Sequence, residues 1–328
     1  MSVTALDHGG RLRVVITGLG LKTPAGCDLE SFWSFLLSGR SSAATISSFD
    51  PSDLSMRFAC EVLDYDPSVY LGPKEVRRVD RVAQLGLGAA VDALADAGNP
   101  SLDPSRGAII VGNGIGGLLT LEEQKEILIT KGPSRVSPFL IPMMMPNATA
   151  GHVAMQFGWT GPNECISTAC ASGTHAVGEA TRLIREGTSD IAMAGGVEST
   201  ITPLAISAFA RMGALSGRND EPERASRPFD GERDGFVMGE GAGFLVLEER
   251  EHAIARGARI YAEVVGYGRN ADAYHITAPA PGGAGAIVCM QLALDDAGLR
   301  PSDIGHINAH GTSTPLNDVN EAEAICNV

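Results

Sequence analysis

The sequence predicts a layered α/β fold. Apolar segments of strand length alternate with longer segments whose apolar residues recur at helical spacing. The 40 glycines stand between these segments rather than in one tract, as is typical of turns that connect regular elements. With 328 residues, 44% of them hydrophobic, the chain can form one large or two ordinary domains around a buried core.

The elements follow in order along the chain. A first strand is predicted over residues 13–17, ending in a glycine turn, and a short helix over residues 31–37. Apolar spacing predicts one helix over residues 74–97, which Gly98, Asn99 and Pro100 end. Residues 119–129 predict another helix, and a further one follows Cys170. The remaining strands are predicted at residues 108–111, 164–168, 191–194, 243–247, 261–265 and 306–309.

A short sequence recurs 200 residues further along the chain. Residues 92–98 (DALADAG) and 292–298 (LALDDAG) agree at five of seven positions, and a turn with Pro, Ser and Asp and then an apolar strand follow each. Chance recurrence of small residues is the alternative. The shared order of helix, turn and strand favours a duplicated α/β unit, and we expect the second copy to be incomplete at Val328.

Composition excludes several classes of protein. A net charge of −14 argues against a general nucleic-acid binder, whose affinity comes from basic residues. No apolar run approaches the length of about 18 residues that a membrane span needs, and residues 1–13 lack the apolar stretch of a signal peptide. We therefore expect a cytoplasmic protein with neither a nucleic-acid nor a membrane partner. Six cysteines without a C-x-x-C pair predict no disulfide framework and no structural metal.

Cys170 is the candidate nucleophile. It lies between a predicted strand and a predicted helix, where unpaired N–H groups and the helix dipole favour a thiolate. Its small neighbours, Ala169, Ala171, Ser172 and Gly173, allow a tight turn and let a substrate approach its N–H as an oxyanion donor. Four other cysteines, Cys60, Cys165, Cys289 and Cys326, are interpreted as small buried hydrophobes.

His310 is the candidate partner of this thiol. It closes a predicted strand and opens a turn of Gly, Thr and Ser, the kind of position from which polar side chains reach a site. His306 lies four residues earlier, but on a strand this spacing does not make the face-sharing metal pair of a helix, so a metal site is the weaker alternative. His275 is a candidate for a position near a pocket.

Two patterns leave alternatives open. Residues 112–117 (GNGIGG) follow a predicted strand and match the dinucleotide fingerprint G-x-G-x-x-G, but no second strand ending in an acidic residue follows. Lys74, Arg77, Arg78 and Arg81 would form one basic stripe on the predicted helix. The stripe is either a solvated face or a docking strip for an acidic partner.

Three motifs carry a resemblance to a known family over residues 13–328. They are Ser167-Thr-Ala-Cys-Ala-Ser-Gly173, Arg227-Pro-Phe-Asp-Gly-Glu-Arg-Asp-Gly-Phe236 and Asn308-Ala-His-Gly-Thr-Ser-Thr-Pro315. The chain resembles the β-ketoacyl-[acyl-carrier-protein] synthases, most closely the synthase II type. The resemblance implies the thiolase fold, two similar α/β halves stacked as five layers, and a homodimer. It places the N-terminal half at residues 1–257 and the start of the C-terminal half at residues 258–328.

The resemblance also implies roles for individual residues. Cys170 matches the acyl-accepting nucleophile, and His310 matches a histidine that assists decarboxylation of malonyl-carrier protein and stabilises the enolate. Ile115 and Phe209 match positions that line the acyl pocket. His275 and Thr277 match the rim of the pantetheine channel. Thr312 and Thr314 match the threonines that hold the phosphopantetheine arm. The surface that meets acyl carrier protein matches Lys74, Arg77, Arg78 and Arg135. No cofactor or metal is implied beyond the phosphopantetheine of the carrier.

The implied reaction is the transfer of an acyl group to Cys170, followed by decarboxylative condensation with malonyl-carrier protein in fatty-acid elongation. Family members continue beyond the point matching Val328 and there supply a catalytic Lys, a second His and a Gly-Phe-Gly-Gly turn. The alternatives are a type II polyketide ketosynthase and a fragment that binds carrier protein without full turnover. A chain-length partner without a nucleophile is disfavoured by Cys170, and a thiolase by residues 308–315.

Overall fold

The computed structural model describes residues 6–328. The prediction that residues 1–13 contain no signal peptide therefore lies partly outside the described residues, at residues 1–5. The strands are β1 (Val14–Lys22), β2 (Ala44–Thr45), β3 (Phe58–Ala59), β4 (Gly107–Gly112), β5 (Asn163–Ile166), β6 (Ile191–Glu198), β7 (Gly241–Glu249) and β8 (Ala262–Glu263). The helices before Cys170 are α1 (Leu29–Leu37), α2 (Pro73–Val76), α3 (Arg81–Asp96), α4 (Leu118–Lys131), α5 (Leu140–Met144) and α6 (Ala148–Phe157). The later helices are α7 (Ser172–Arg185), α8 (Pro203–Arg211), α9 (Arg250–Ala255), α10 (Ala284–Ala297) and α11 (Pro315–Asn327).

The chain divides into two compact units. The first comprises the described residues up to 40 together with residues 61–204 and 239–264, and the second comprises residues 41–60, 205–238 and 265–328. Each unit is therefore assembled from separated segments of the chain. The predicted domain boundary between residues 257 and 258 stays a prediction.

A mixed sheet forms the centre of the first unit. Its strands lie in the order β5-β4-β6-β7-β1-β8. Strand β4 pairs in parallel with β5 and β6, while β7 pairs antiparallel with β6 and β1. Alternate residues of β4 point to opposite faces, so Ile109 and Val111 join the core under α3, and Ala108 and Ile110 join the core under α7. The sheet is thus covered on both faces, as the layered α/β prediction requires.

The first strand is longer than predicted. Instead of ending after Thr17, β1 continues through Gly18 and Gly20 to Lys22. A Cβ at Gly18 would lie 2.3 Å from the backbone oxygen of Ala93 in α3, and one at Gly20 would lie 2.1 Å from that of Ala89. These glycines therefore mark close packing of a helix on the strand, not a turn.

The helix predicted over residues 74–97 is also wrong as one element. It breaks between α2 and α3, where buried Asp80 begins α3 by accepting a hydrogen bond from Val82 N at 3.0 Å. The other carboxylate oxygen of Asp80 accepts hydrogen bonds from the backbone N–H and hydroxyl of Thr120. A tertiary contact with α4 thus fixes the start of α3, which apolar periodicity cannot reveal.

The strand predicted at residues 306–309 is absent from the described residues, and the one at 261–265 is reduced to the two residues of β8. An extended segment becomes a strand only when a neighbouring segment accepts and donates its backbone hydrogen bonds. Within residues 6–328, no segment pairs with residues 306–309. The second copy of the duplicated unit therefore has a strand-like sequence at residues 306–309 that forms no strand pairing.

The predicted duplication is confirmed by contacts inside each unit. In the second unit, a Cβ at Gly266 would lie 2.4 Å from the oxygen of Ala293, which repeats the approach of Gly18 to Ala93. Likewise, Leu19 N donates to Asp96 Oδ2 at 2.9 Å, and Tyr267 N donates to Asp296 Oδ2 at the same distance. The two helices of the sequence repeat thus meet extended segments through the same glycine and aspartate positions.

Candidate active site

Cys170 lies on a tight turn between β5 and α7. The turn passes through Ala169, which takes the left-handed conformation with φ +52°, and the exposed side chain of Cys170 comes directly before Ala171, the N-cap of α7. The left-handed region is sterically unfavourable for a residue with a Cβ. The backbone is therefore strained at the residue before the thiol, and the structure places Cys170 where the sequence predicts it.

Ser172 holds this turn together. Its buried hydroxyl accepts a hydrogen bond from Thr168 N at 2.8 Å and donates one to the backbone oxygen of Ala169 at 2.7 Å. One bond spans Ala169 and the other ends on its carbonyl oxygen. Together they fix the direction in which Cys170 leaves the strand. In the sequence Ser172 stands out only as a small neighbour, and its role is missed there because neither bond has a sequence signature.

Glycines allow α7 to begin against the strand ends. A Cβ at Gly112, the last residue of β4, would lie 2.3 Å from the backbone carbon of Ser172. Gly173 and Gly196 face each other, and a Cβ at Gly196 would lie 3.1 Å from the Cα of Gly173. The first turn of α7 consequently lies directly beside the carboxyl ends of β4 and β6, where its N–H groups favour negative charge.

The other cysteines differ from Cys170 in their surroundings. Burial raises the pKa of the Cys60, Cys165 and Cys289 thiols, and for Cys165 the nearby Glu198 carboxylate adds to the effect. Cys165 also donates to the backbone oxygen of Pro146. These three thiols stay protonated at neutral pH, which agrees with their interpretation as hydrophobes. Cys326 is instead exposed on α11, so its interpretation as a buried residue is wrong.

The glycine-rich turn after β4 does not offer a phosphate cradle. The backbone N–H groups of Gly114 and Ile115 already donate to the Glu198 carboxylate, at 3.0 and 3.1 Å. A pyrophosphate would have to displace this half-buried acid, which has the same sign of charge. The dinucleotide alternative is therefore not supported, and Ile115 projects from the turn with 44% of its surface exposed.

In the second unit, α11 organises the loop that carries His310. Glu321 accepts hydrogen bonds from the backbone N–H of His310 at 2.6 Å and of Gly311 at 2.8 Å. Buried Asp318 accepts from Ser313 N at 3.2 Å, and Ser313 has φ +65°. The side chain of His310 is exposed at the start of this loop.

The motif at residues 227–236 supports the same loop. Arg227 N donates to Ser313 Oγ at 3.0 Å, and Gly235 N donates to the Ser313 oxygen at the same distance. Arg233 donates to the backbone oxygens of Thr314 and Pro315. This motif therefore binds loop backbone, a role that its residue types do not reveal in the sequence.

The remaining predicted substrate residues of the second unit fall in separate places. Thr312 and Thr314 lie on the His310 loop with their hydroxyls 2.8 Å apart. Exposed His275 accepts hydrogen bonds from Thr277 N at 3.1 Å and Ala278 N at 3.0 Å. Phe209 packs edge-on against Phe236, with ring centroids 5.5 Å apart. Their roles as acyl-pocket and pantetheine residues stay predictions.

The basic stripe is smaller than predicted. Lys74, Arg77 and Arg78 are exposed around α2, but Arg81 turns inward and pairs with Glu240, donating at 2.8 and 2.6 Å. Because the predicted helix breaks before α3, Arg81 does not lie on the same face as the other basic residues of the predicted stripe. Arg78 lies over the Phe139 ring, 4.6 Å from its centroid, which brings it beside the segment of exposed Arg135.

Comparison with known proteins adds to this geometry. The β-ketoacyl synthase N-terminal domain model matches residues 12–253, and the C-terminal domain model of the same family matches residues 261–328. The chain is 51% identical over 315 residues to a 3-oxoacyl-[acyl-carrier-protein] synthase 2 of Synechocystis sp. and 47% identical over 315 residues to one of Vibrio cholerae. Each match covers 95% of this chain and 76% of the relative, so the chain spans about three quarters of their length.

Solved structures agree with this fold. The ishigamide ketosynthase/chain length factor superposes with a TM-score of 0.90 at 37% identity, over 97% of this chain and 78% of that one. The ketosynthase in the complex AntDE:AntF, with its type II polyketide acyl-carrier protein, superposes with a TM-score of 0.88 at 35% identity and the same coverage. The predicted thiolase-like α/β fold is confirmed by these neighbours. By family models, relatives and fold, the chain belongs to the β-ketoacyl synthase family of condensing enzymes.

Proposed function

We propose that the chain acts as a 3-oxoacyl-[acyl-carrier-protein] synthase of fatty-acid elongation. The observation that carries the proposal is the position of Cys170, an exposed thiol on a strained turn directly before α7. Ser172 holds the turn, and the N-terminal turn of α7 stabilises negative charge beside it. Such an arrangement suits a thiolate nucleophile that forms a covalent acyl intermediate.

In the first half-reaction, the Cys170 thiolate attacks the thioester carbonyl of an acyl-carrier protein. The carbonyl electron pair moves onto oxygen, where the N–H of Cys170 can donate to the oxyanion. When the carbonyl re-forms, the carbon–sulfur bond to phosphopantetheine breaks, and the pantetheine thiolate leaves and takes up a proton. The acyl group is then bound to Cys170 as a new thioester.

In the second half-reaction, malonyl-carrier protein loses CO2. The electron pair of the broken carbon–carbon bond forms an enolate, which His310 stabilises by hydrogen bonding to the thioester oxygen. The enolate carbon attacks the acyl carbonyl on Cys170, and the Cys170 thiolate leaves. The product is a 3-oxoacyl chain two carbons longer, and the proposed chemistry needs no cofactor besides the phosphopantetheine on the carrier.

We propose acyl carrier protein as the partner that delivers both substrates. The basic surface formed by Lys74, Arg77, Arg78 and Arg135 supports this, because it is a local concentration of exposed cations on a chain with a net charge of −14. An acidic partner would be steered to this surface. The ketosynthase of the AntDE:AntF complex is itself bound to an acyl-carrier protein.

We also propose a homodimer. Strand β5 is the last strand of the sheet, and Asn163 and Glu164 on it are exposed. An open strand edge is a ready site for pairing with the same strand of a second copy. Light scattering would support the proposal with a mass near twice 34.1 kDa and contradict it with a monomer.

A cytoplasmic location completes the proposal. The proposed chemistry needs Cys170 as a reduced thiol, and the reducing cytoplasm maintains thiols in that state. Within residues 6–328, no helix has the length and apolarity to cross a bilayer.

Acylation of Cys170 is the decisive test. Incubation with long-chain acyl-carrier protein should add one acyl mass to the chain, and peptide mapping should place it on Cys170. Cys170→Ala should abolish the adduct, whereas Cys326→Ala, which removes another exposed thiol, should leave it unchanged. An adduct that persists in Cys170→Ala would overturn the nucleophile assignment. Preference for a polyketide-type acyl chain over a saturated one would favour the polyketide alternative.

A further inference from the structure

The turn that carries Ile115 is held by side chains from two other strand ends. Glu198, the last residue of β6, accepts hydrogen bonds through Oε2 from Gly114 N at 3.0 Å and Ile115 N at 3.1 Å. Ser167, which follows β5, donates through its hydroxyl to the Gly114 oxygen at 3.1 Å. Asn113 shares the Ile115 N–H through its own Oδ1, also at 3.1 Å. The peptide groups around Ile115 are therefore bound on both sides.

The position of Glu198 is electrostatically unfavourable. Burial raises the pKa of the Glu198 carboxyl, and the neighbouring acid Asp80 raises it further, against the effect of its backbone hydrogen bonds. Its second oxygen, Oε1, is buried without a hydrogen-bond partner among the described residues. A half-buried carboxylate with one buried, unpartnered oxygen is costly unless it organises polar groups around it. The groups it organises are the N–H groups of the Ile115 turn.

The turn has little room to move. A Cβ at Gly114 would lie 2.8 Å from Glu198 Oε2, so the backbone is in close contact with the carboxylate. On the far side, Gly116 has φ +89°, and Gly117 N donates to the Met144 oxygen at 3.2 Å. The 44% exposed side chain of Ile115 thus projects from a backbone fixed on both flanks. The hydrogen bonds of those flanks fix the position of its backbone.

We propose that Glu198 and Ser167 are positioning residues that fix Ile115 and thereby set the acyl-chain length that the site accepts. This inference rests on the proposed function, in which Ile115 lines the acyl pocket. Ser167 lies three residues before Cys170, so one hydroxyl joins the Ile115 turn to the nucleophile segment. Loss of either side chain frees the turn and alters the space for the distal part of the chain.

The test compares acylation rates of Cys170 with acyl-carrier proteins of increasing chain length in Glu198→Ala, Glu198→Gln and Ser167→Ala. A shift of about tenfold in the ratio of long-chain to short-chain rates is expected for Glu198→Ala and Ser167→Ala, since a misfit of one methylene group in an apolar pocket already discriminates by at least about this factor. Glu198→Gln keeps an oxygen that can accept hydrogen bonds from the N–H groups of Gly114 and Ile115, so this variant should retain the wild-type ratio. Glu186→Ala, which removes an exposed carboxylate that follows α7, is the matched control.

The ratio separates positioning of Ile115 from damage to the nucleophile. A weakened nucleophile lowers the rate for every chain length equally, which leaves the ratio unchanged. Equal ratios in wild type, Glu198→Ala and Ser167→Ala would overturn the inference. Ser167 is exposed, so Ser167→Ala provides this answer even if Glu198→Ala fails to fold.

A second measurement needs no acyl transfer. Alkyl methanethiosulfonates of graded chain length convert a thiol to a mixed disulfide and release methanesulfinate. The ratio of the reaction rates of the octyl and methyl reagents at Cys170 should change about threefold or more in Glu198→Ala and in Ser167→Ala. The same ratio at Cys326 should stay constant. If wild type accepts no acyl group yet these ratios change, the proposed synthase activity fails and the positioning of Ile115 stands. If wild type is acylated and the ratios do not change, only the inference fails.

Discussion

Ala169 holds its left-handed conformation at a cost of about 1–2 kcal/mol. The strain sits one residue before Cys170 and is maintained by the two hydrogen bonds of the Ser172 hydroxyl. The turn therefore fixes the direction in which the thiol leaves the backbone. Preorganisation of this kind is what a nucleophile needs for rapid attack.

Ser172→Ala is expected to lower the rate of Cys170 acylation about tenfold, because the turn relaxes when Thr168 N and the Ala169 oxygen lose their partner. The free energy of unfolding should fall by about 1–3 kcal/mol, since a buried hydrogen-bonding hydroxyl is removed. Rates from mass spectrometry and chemical denaturation measure the two effects. Ser134→Ala, at an exposed serine, should change neither. Wild-type acylation by Ser172→Ala would show that the hydroxyl has no positioning role.

At the scale of elements, α7 provides the charge-stabilising end of the site because three glycines allow its first turn to lie against the sheet. Gly112 ends β4, Gly196 lies in β6 and Gly173 belongs to α7 itself. Close backbone approach of a helix to a strand end is possible only where no Cβ intervenes. The placement of Cys170 is therefore a consequence of packing between elements.

Gly112→Ala should displace the start of α7, because its Cβ would lie 2.3 Å from backbone atoms of Ser172. We expect the free energy of unfolding to fall by about 1–3 kcal/mol, the ordinary range for overpacking. The rate of Cys170 acylation should fall further than the loss of folded protein accounts for. Gly243→Ala in β7 is the control, since nothing lies within 4 Å of the position that its Cβ would occupy. Equal stability and activity of the two variants would contradict this account of α7.

At the scale of the whole molecule, charge is distributed unevenly. The chain carries 39 acidic and 25 basic residues, yet Lys74, Arg77 and Arg78 are exposed within five residues. Long-range attraction of an acidic partner to such a surface affects encounter more than chemistry.

The double variant Arg77→Glu/Arg78→Glu should raise the KM for acyl-carrier protein about tenfold or more and leave the rate at saturation nearly unchanged. The wild-type KM should rise with added salt, and the variant should lose most of this dependence, because screening acts on the removed attraction. Steady-state acylation at several salt concentrations measures both. Arg300→Glu reverses a charge whose side chain is 80% exposed and should behave as wild type. A KM unchanged in the double variant would contradict docking at this surface.

The sequence predicts much of the site because its signals are local. A cysteine among small residues between a strand and a helix predicts the nucleophile, and a histidine before a Gly-Thr-Ser turn predicts its partner. The recurrence at residues 92–98 and 292–298 indicates the duplication, which the matching Gly18 and Gly266 contacts confirm. Each of these patterns depends on residues adjacent in the chain.

Tertiary structure alone decides where distant residues meet. Asp80 begins a new helix because it binds Thr120, and Arg81 leaves the predicted basic stripe because Glu240 accepts its hydrogen bonds. Glu198 reaches the Ile115 turn across more than 80 residues of chain. Hydrogen bonds between a side chain and a remote backbone leave no periodic or local trace in a sequence. Sequence by itself therefore determined the fold class and the candidate reactive residues, while three-dimensional packing decided which side chains hold them in place.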